Sequence, residues 1–293
     1  MKKHPLIAAG LALFAAAFLA GSAAAQDNDR DRDFDRRGTA LALGDSVPFG
    51  FITRADPQYV NASNFVGSPE YLAQMLNLDV TNASCPGETT SHLLSLSGAD
   101  YKCASHRAKY PLHASYSSSQ LDFAKGFLAR NRHVRLVTVG VGANDVFALQ
   151  TRCAINEPGS AYCVPYGLPP VLNQIAQNVA WLITELRGTG YSGQIVIVNY
   201  YSPDYADAQL TQLTGALNQA LAGAAQPFGA VVADVFTAFL KAASTPAAGG
   251  RICNTGLLNV NPAQPALCDF HPSISGQKLI AQTIAASLRG RNW

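Results

Sequence analysis

Five short runs of apolar residues are spaced widely along the chain, and each gives way to a polar or glycine-bearing segment. Thr39 to Leu43 leads into Gly44-Asp45-Ser46, and the weaker run from Leu78 to Asn82 is followed by Gly87. Arg135 to Val139 leads into Gly140, Gln194 to Val198 into Asn199, and Ala230 to Asp234 is the fifth. Nearly continuous apolar runs of this length suit strands covered on both faces, as in a parallel sheet. Between them the period changes. Val171, Ile175, Val179, Leu182 and Leu186 trace one stripe, and Leu210, Leu213, Leu217 and Leu221 a second. Ile280, Ile284 and Leu288 mark a C-terminal helix that starts near Ser273 to Ser275. Spacings of three and four residues are the helix period, and such stripes are packing faces.

Alternating strand and helix patterns predict an α/β fold, a three-layer α/β/α sandwich around a parallel five-stranded sheet with right-handed crossovers. Ligands bind beyond the carboxyl ends of the strands in such a sheet. Gly44-Asp45-Ser46 follows the first run, Gly87 the second and Gly142-Ala143-Asn144 the third, so three polar loops are expected at one edge. Tyr200-Tyr201-Ser202-Pro203, just past the fourth run, either lines that cleft or forms an ordinary turn with packed aromatics. The pattern shows no internal repeat and no second domain.

The N-terminal end changes the picture. Lys2, Lys3 and His4 precede an uncharged apolar run from Leu6 to Ala20, and Ala23-Ala24-Ala25 then offers a small-residue cleavage site. That order reads as a secretory signal peptide over 1–25. The run falls short of the ~20 residues of a spanning helix, which argues against a retained anchor. The protein is therefore expected to be secreted or periplasmic, without stable membrane insertion. Residues 26–38 hold alternating acids and arginines, a solvated leader that lacks the glycine and distal glutamate of an EF-hand loop. The folded domain is expected over 39–293. Lys2 and Lys3 leave with the signal, so the 21 basic residues fall to 19, equal to the 19 acidic ones. No basic excess remains to suggest nucleic acid.

Six cysteines fit an oxidising compartment. They lie as local pairs, Cys85 with Cys103, Cys153 with Cys163, and Cys253 with Cys268. Neighbour pairing is the simplest of the fifteen connectivities, and free thiols or other partners stay open. Without a C-x-x-C spacing nothing favours zinc, and His92, His106, His113 and His133 are scattered, reading as surface or loop residues.

Four segments carry chemistry. Leu43-Gly44-Asp45-Ser46 with Gly50, Asn82 to Gly87, Val141-Gly142-Ala143-Asn144-Asp145, and Phe270-His271-Pro272 resemble, in that order, the sequence blocks of the GDSL (SGNH) hydrolase family. The cysteine pairs also resemble the secreted esterases and lipases of that family from actinomycetes. The resemblance implies a flavodoxin-like sheet and hydrolysis of carboxylic esters through an acyl-serine intermediate. Ser46 would be the nucleophile and His271 the base. The backbone N–H groups of Ser46 and Gly87 and the side-chain amide of Asn144 would form the oxyanion hole. It implies no metal and no cofactor; a small-molecule or lipid ester is the expected partner, and a monomer the expected state. A phospholipase A-type or carbohydrate O-acetylesterase activity stands beside the general esterase, as does a non-catalytic secreted binding protein of the same fold.

Each residue alone has a plainer reading. Ser46 suits a helix cap, Gly87 a turn, Asn144 and Asp145 a cap or Asx turn, and His271 a surface position. Four in family order outweigh these. Asp45 and Asp145 read as structural, bonding nearby backbone amides. One departure matters: many family members place aspartate three positions before the histidine, where this chain has Cys268. Asp269, two before His271, acts through its side chain, through its main-chain oxygen, or not at all.

Overall fold

A computed structural model describes residues 37–53, 58–261 and 264–291. The expected signal peptide, and the leader as far as Arg36, lie outside the described residues.

The five apolar runs are strands: β1 Thr39–Gly44, β2 Asp79–Asn82, β3 Val134–Gly140, β4 Gln194–Val198 and β5 Val231–Ala233. They form one parallel sheet in the order β2-β1-β3-β4-β5. Alternate residues point to opposite faces of a strand, and the packing follows that period. Leu41 and Leu43 of β1, Val137 and Val139 of β3, and Ile195 and Ile197 of β4 enter one core. Ala40, Leu136 and Val196 enter the other.

Ten α-helices accompany the sheet among the described residues. They are α1 Ser46–Phe49, α2 Ser68–Leu76, α3 Thr90–Leu94, α4 Cys103–Arg107, α5 Gln120–Arg130, α6 Ala143–Asn156, α7 Cys163–Gly188, α8 Ala208–Ala225, α9 Val235–Ala243 and α10 Ile274–Ser287. The stripes of α7 and α8 close the first core, where Ile175, Val179, Leu182, Leu186, Leu217 and Leu221 are buried. Helices α2, α9 and α10 close the second through Leu72, Phe239, Ile280 and Ile284. The third stripe lies on α10, which starts at Ile274 with Ser273 as its cap, accepting from the Gly276 N–H. An element that the hydrophobic pattern does not announce is the antiparallel hairpin of β6 Leu258–Asn261 and β7 Gln264–Pro272.

Strand order reverses between β1 and β3, so the crossovers leaving their carboxyl ends diverge and open a crevice there. Ser46 and Asn144 stand at its two lips. Among the described residues no helix is long and apolar enough to cross a membrane.

Candidate active site

Chain geometry places the serine. Gly44 has φ +138°, and a Cβ there would lie 2.0 Å from the Gly140 carbonyl oxygen, so only glycine lets β1 turn against β3. The cap of the short helix that follows is Asp45, whose Oδ1 accepts from the Val47 N–H at 2.9 Å. Ser46 is then the first helical residue, and its hydroxyl is free of the capping role that it could have filled. Ser46 Oγ lies 3.0 Å from His271 Nε2.

The hairpin supplies the other half. Asp269 and His271 are two apart on β7, and residues i and i+2 of a strand face the same way. Asp269 Oδ1 sits 2.8 Å from His271 Nδ1. Asp269 Oδ2 accepts from the Thr53 N–H at 3.1 Å and the Thr53 hydroxyl at 2.9 Å. An ionised carboxylate only accepts, so the imidazole proton sits on Nδ1 and Nε2 is left to accept from Ser46. Burial pushes the Asp269 carboxyl up, but the hydrogen bond and charge of His271 and the Thr53 bonds outweigh it, bringing it down to about 2. The Tyr201 hydroxyl donates to the Phe270 carbonyl at 2.6 Å, which anchors the strand between the two.

Gly87 ends the loop after β2. Its φ is +85°, and a Cβ would meet the Lys102 Cβ at 2.5 Å, so this position also requires glycine. Asn144 is buried on the first turn of α6, and its Nδ2 donates to the Glu88 carbonyl at 2.9 Å. Ser46, Gly87, Asn144 and His271 border one cleft, with Thr53, Tyr101, Lys102 and His106 on its outer wall. The Ser46 N–H opens a helix and so has no intrahelical acceptor. A hydroxyl on an imidazole backed by a carboxylate, beside N–H donors, is an arrangement capable of acyl transfer.

Asp45 and Asp145 reach further than nearby amides. Asp45 Oδ2 accepts from the Tyr200 hydroxyl at 2.5 Å, and Asp145 accepts from the Thr90 N–H at 2.9 Å and hydroxyl at 2.6 Å. Burial raises both carboxyls to about 6. A carboxyl raised on folding contributes stability below its unfolded value of 3.8, and that contribution is lost as pH rises through 6. His92 is no surface residue. It is 3% exposed, and its Nδ1 lies 2.5 Å from Oε1 of Glu88, four residues earlier in the chain. His106 packs its ring against Phe49, Phe51 and Tyr110, and burial lowers it to about 4.

The cysteines are bonded as Cys85–Cys103, Cys153–Cys163 and Cys253–Cys268, across separations of 18, 10 and 15 residues. In the chain-entropy model each such loop contributes about 3 kcal/mol. Cys85 lies two before Gly87 and Cys268 immediately before Asp269, so two bridges tether loops of the site. Reducing all three should lower the thermal midpoint by on the order of 20 °C and cut turnover of the folded fraction. Calorimetry and an esterase assay with and without reductant check this; unchanged values would deny the bridges that role.

The chain belongs to the GDSL-like Lipase/Acylhydrolase family, whose model matches residues 42–279. Its members hydrolyse esters, and the fold agrees. The phospholipase A1 of Streptomyces albidoflavus NA297 superposes with a TM-score of 0.55 at 18% identity, over 86% of this chain and 100% of that one. An acetylxylan esterase from Geobacillus stearothermophilus gives 0.52 at 15% identity, over 87% and 95%. The lipase Lip_vut3 from a goat rumen metagenome gives 0.51 at 15%, over 87% and 99%. At such identities these likenesses show the fold alone. No curated protein matches the chain.

Proposed function

We propose that this chain is a secreted serine esterase of the lipase type. The observation that carries the reading is the continuous line from Ser46 Oγ to His271 Nε2 at 3.0 Å and from His271 Nδ1 to Asp269 Oδ1 at 2.8 Å. Ser46 Oγ attacks the ester carbonyl while His271 Nε2 takes its proton. The new oxyanion accepts from the Ser46 and Gly87 N–H groups and from the second N–H of the Asn144 amide. As the carbonyl re-forms, the C–O bond to the alcohol breaks and His271 returns the proton to the leaving oxygen. Water, deprotonated by the same imidazole, then attacks the acyl-serine, and collapse releases the acid and Ser46. The signal-like residues 1–25 and the three disulfides support export.

The lipase type rests on the ground beside Ser46. A groove between α6 and α8 is walled by Val146, Phe147, Leu210, Leu213 and Leu217 and opens at Ser46 and His271. Tyr200, Tyr201 and Pro203 border it too, so the segment after β4 both packs in the core and lines the site. The three leucines span about 10 Å of α8 at the helical rise, an apolar wall against which an acyl chain longer than acetyl can lie. Each methylene entering it should raise kcat/KM roughly three- to fourfold until the groove is full. A profile on p-nitrophenyl esters from acetate to laurate checks this. A maximum at medium or longer chains is expected, whereas a sharp preference for acetate would favour a carbohydrate deacetylase.

A further inference from the structure

We infer that Gln120 is a positioning residue that sets, through Glu88, the spacing between the nucleophile turn and the donors of the oxyanion hole. The inference rests on the serine-esterase reading and adds to it a part of the site that touches no substrate. Among the described residues lining the groove and the cleft, neither Gln120 nor Glu88 is found.

The need arises where the sheet ends. Gly44 still pairs with Gly140 of β3 on one side, and the Asp45 N–H donates to the Gly140 carbonyl. On its other side β2 has stopped at Asn82, opposite Ala42. The Gly44 N–H therefore lacks a strand to pair with, and its carbonyl receives only the Cys85 N–H from the chain that continues past β2. A buried backbone donor left in that state is costly. Gln120, the first residue of α5 and 0% exposed, takes the place of the missing strand. Its Oε1 accepts from the Gly44 N–H at 2.8 Å, and its Nε2 donates to the Gly44 carbonyl at 2.8 Å.

The same amide reaches the donor loop. Gln120 Nε2 donates its second proton to Glu88 Oε2 at 2.7 Å, so both N–H groups and the carbonyl of the amide are committed. The other oxygen, Glu88 Oε1, meets His92 Nδ1 at 2.5 Å, and an Asp100 carboxylate oxygen lies 3.7 Å from that nitrogen. Glu88 adjoins Gly87, and its main-chain carbonyl holds Asn144 Nδ2 at 2.9 Å. Gly44 stands two residues before Ser46. All three proposed oxyanion donors are thus referred to one buried amide–carboxylate pair. Such a network positions strongly because every member is satisfied in only one arrangement.

Gln120→Glu tests this, since it keeps the shape, removes both donors and sets two carboxylates face to face. On p-nitrophenyl butyrate at pH 8, kcat should fall on the order of 100-fold with KM within about threefold, as for a lost transition-state contact. Affinity for an alkyl trifluoromethyl ketone, whose serine adduct carries the oxyanion, should fall in parallel. The swapped pair Gln120→Glu/Glu88→Gln restores a donor between positions 120 and 88 but none to the Gly44 carbonyl, so it should recover about tenfold of the lost kcat and not the whole. A folded Gln120→Glu protein with unchanged kcat and ketone affinity overturns the inference. If Gln120→Glu does not fold, Gln120→Met, similar in size and without hydrogen bonds, is read by the same kcat, KM and ketone criteria. Ser46-dependent turnover by the unaltered protein tests the esterase reading separately. With that turnover present, a negative result strikes this inference alone.

Discussion

Ser46→Ala should abolish ester hydrolysis, lowering kcat by at least about 10⁴-fold, because the nucleophile and its base act as a unit. The fold should survive. Ser46 sits at the edge of the sheet, half-buried, and its hydroxyl makes a hydrogen bond to His271. Deleting that bond should change unfolding free energy by about 1 kcal/mol in either direction. Assays of both proteins on p-nitrophenyl butyrate, with a denaturant titration beside them, check both halves. Equal rates would mean that the chemistry is elsewhere or absent, and would favour a binding protein that shares the fold.

Asp269→Asn should lower kcat by about 10²- to 10⁴-fold at neutral pH with KM little changed, as a carboxylate-to-amide change does in serine triads generally. Asparagine brings an N–H₂ where only acceptors fit. It faces either His271 Nδ1 or the two Thr53 donors, and the imidazole loses the partner that fixes its tautomer. With a carboxyl held down to about 2, Asp269 is ionised wherever the enzyme would operate. Its depressed value contributes stability above the unfolded 3.8 that is lost as pH falls through 2, so the wild-type protein should not lose activity near neutrality on its account. Steady-state kinetics from pH 5 to 9 provide the measurement. A loss below tenfold would instead assign the orienting role to a main-chain carbonyl.

How much of this could be read in the sequence depended on whether the relevant contact was local. The strands were legible because both faces of a covered sheet are apolar, Leu41, Val137 and Ile195 on one and Ala40, Leu136 and Val196 on the other. Helices α7, α8 and α10 were legible from their stripes. Helix α2 escaped notice, since only Ser68, Pro69, Leu72 and Ala73 of its nine residues are buried. The β6–β7 hairpin escaped because Pro265 and Pro272 interrupt any strand pattern. The role of Asp269 depends on that hairpin. On a loop its spacing from His271 is merely unusual, whereas on a strand it puts both side chains on one face. Ser46, Gly87, Asn144 and His271 were visible as a set because short motifs carry them. Thr53, Glu88 and Gln120 were not, because a lone threonine or glutamine has no pattern; Tyr200 stood out beside the cleft without its bond to Asp45, and His92 read as a surface or loop residue. Their partners lie 216, 155 and 76 residues away for Thr53, Tyr200 and Gln120.

If Ser46 is an activated nucleophile, it can be trapped covalently. The purified protein is treated with a fluorophosphonate, digested, and searched by mass spectrometry for the modified side chain. One phosphonylated site is expected, Ser46, with no labelling of the Ser46→Ala protein or of the native protein after thermal denaturation. No adduct on the native protein, or an adduct on another residue that persists in Ser46→Ala, would contradict it.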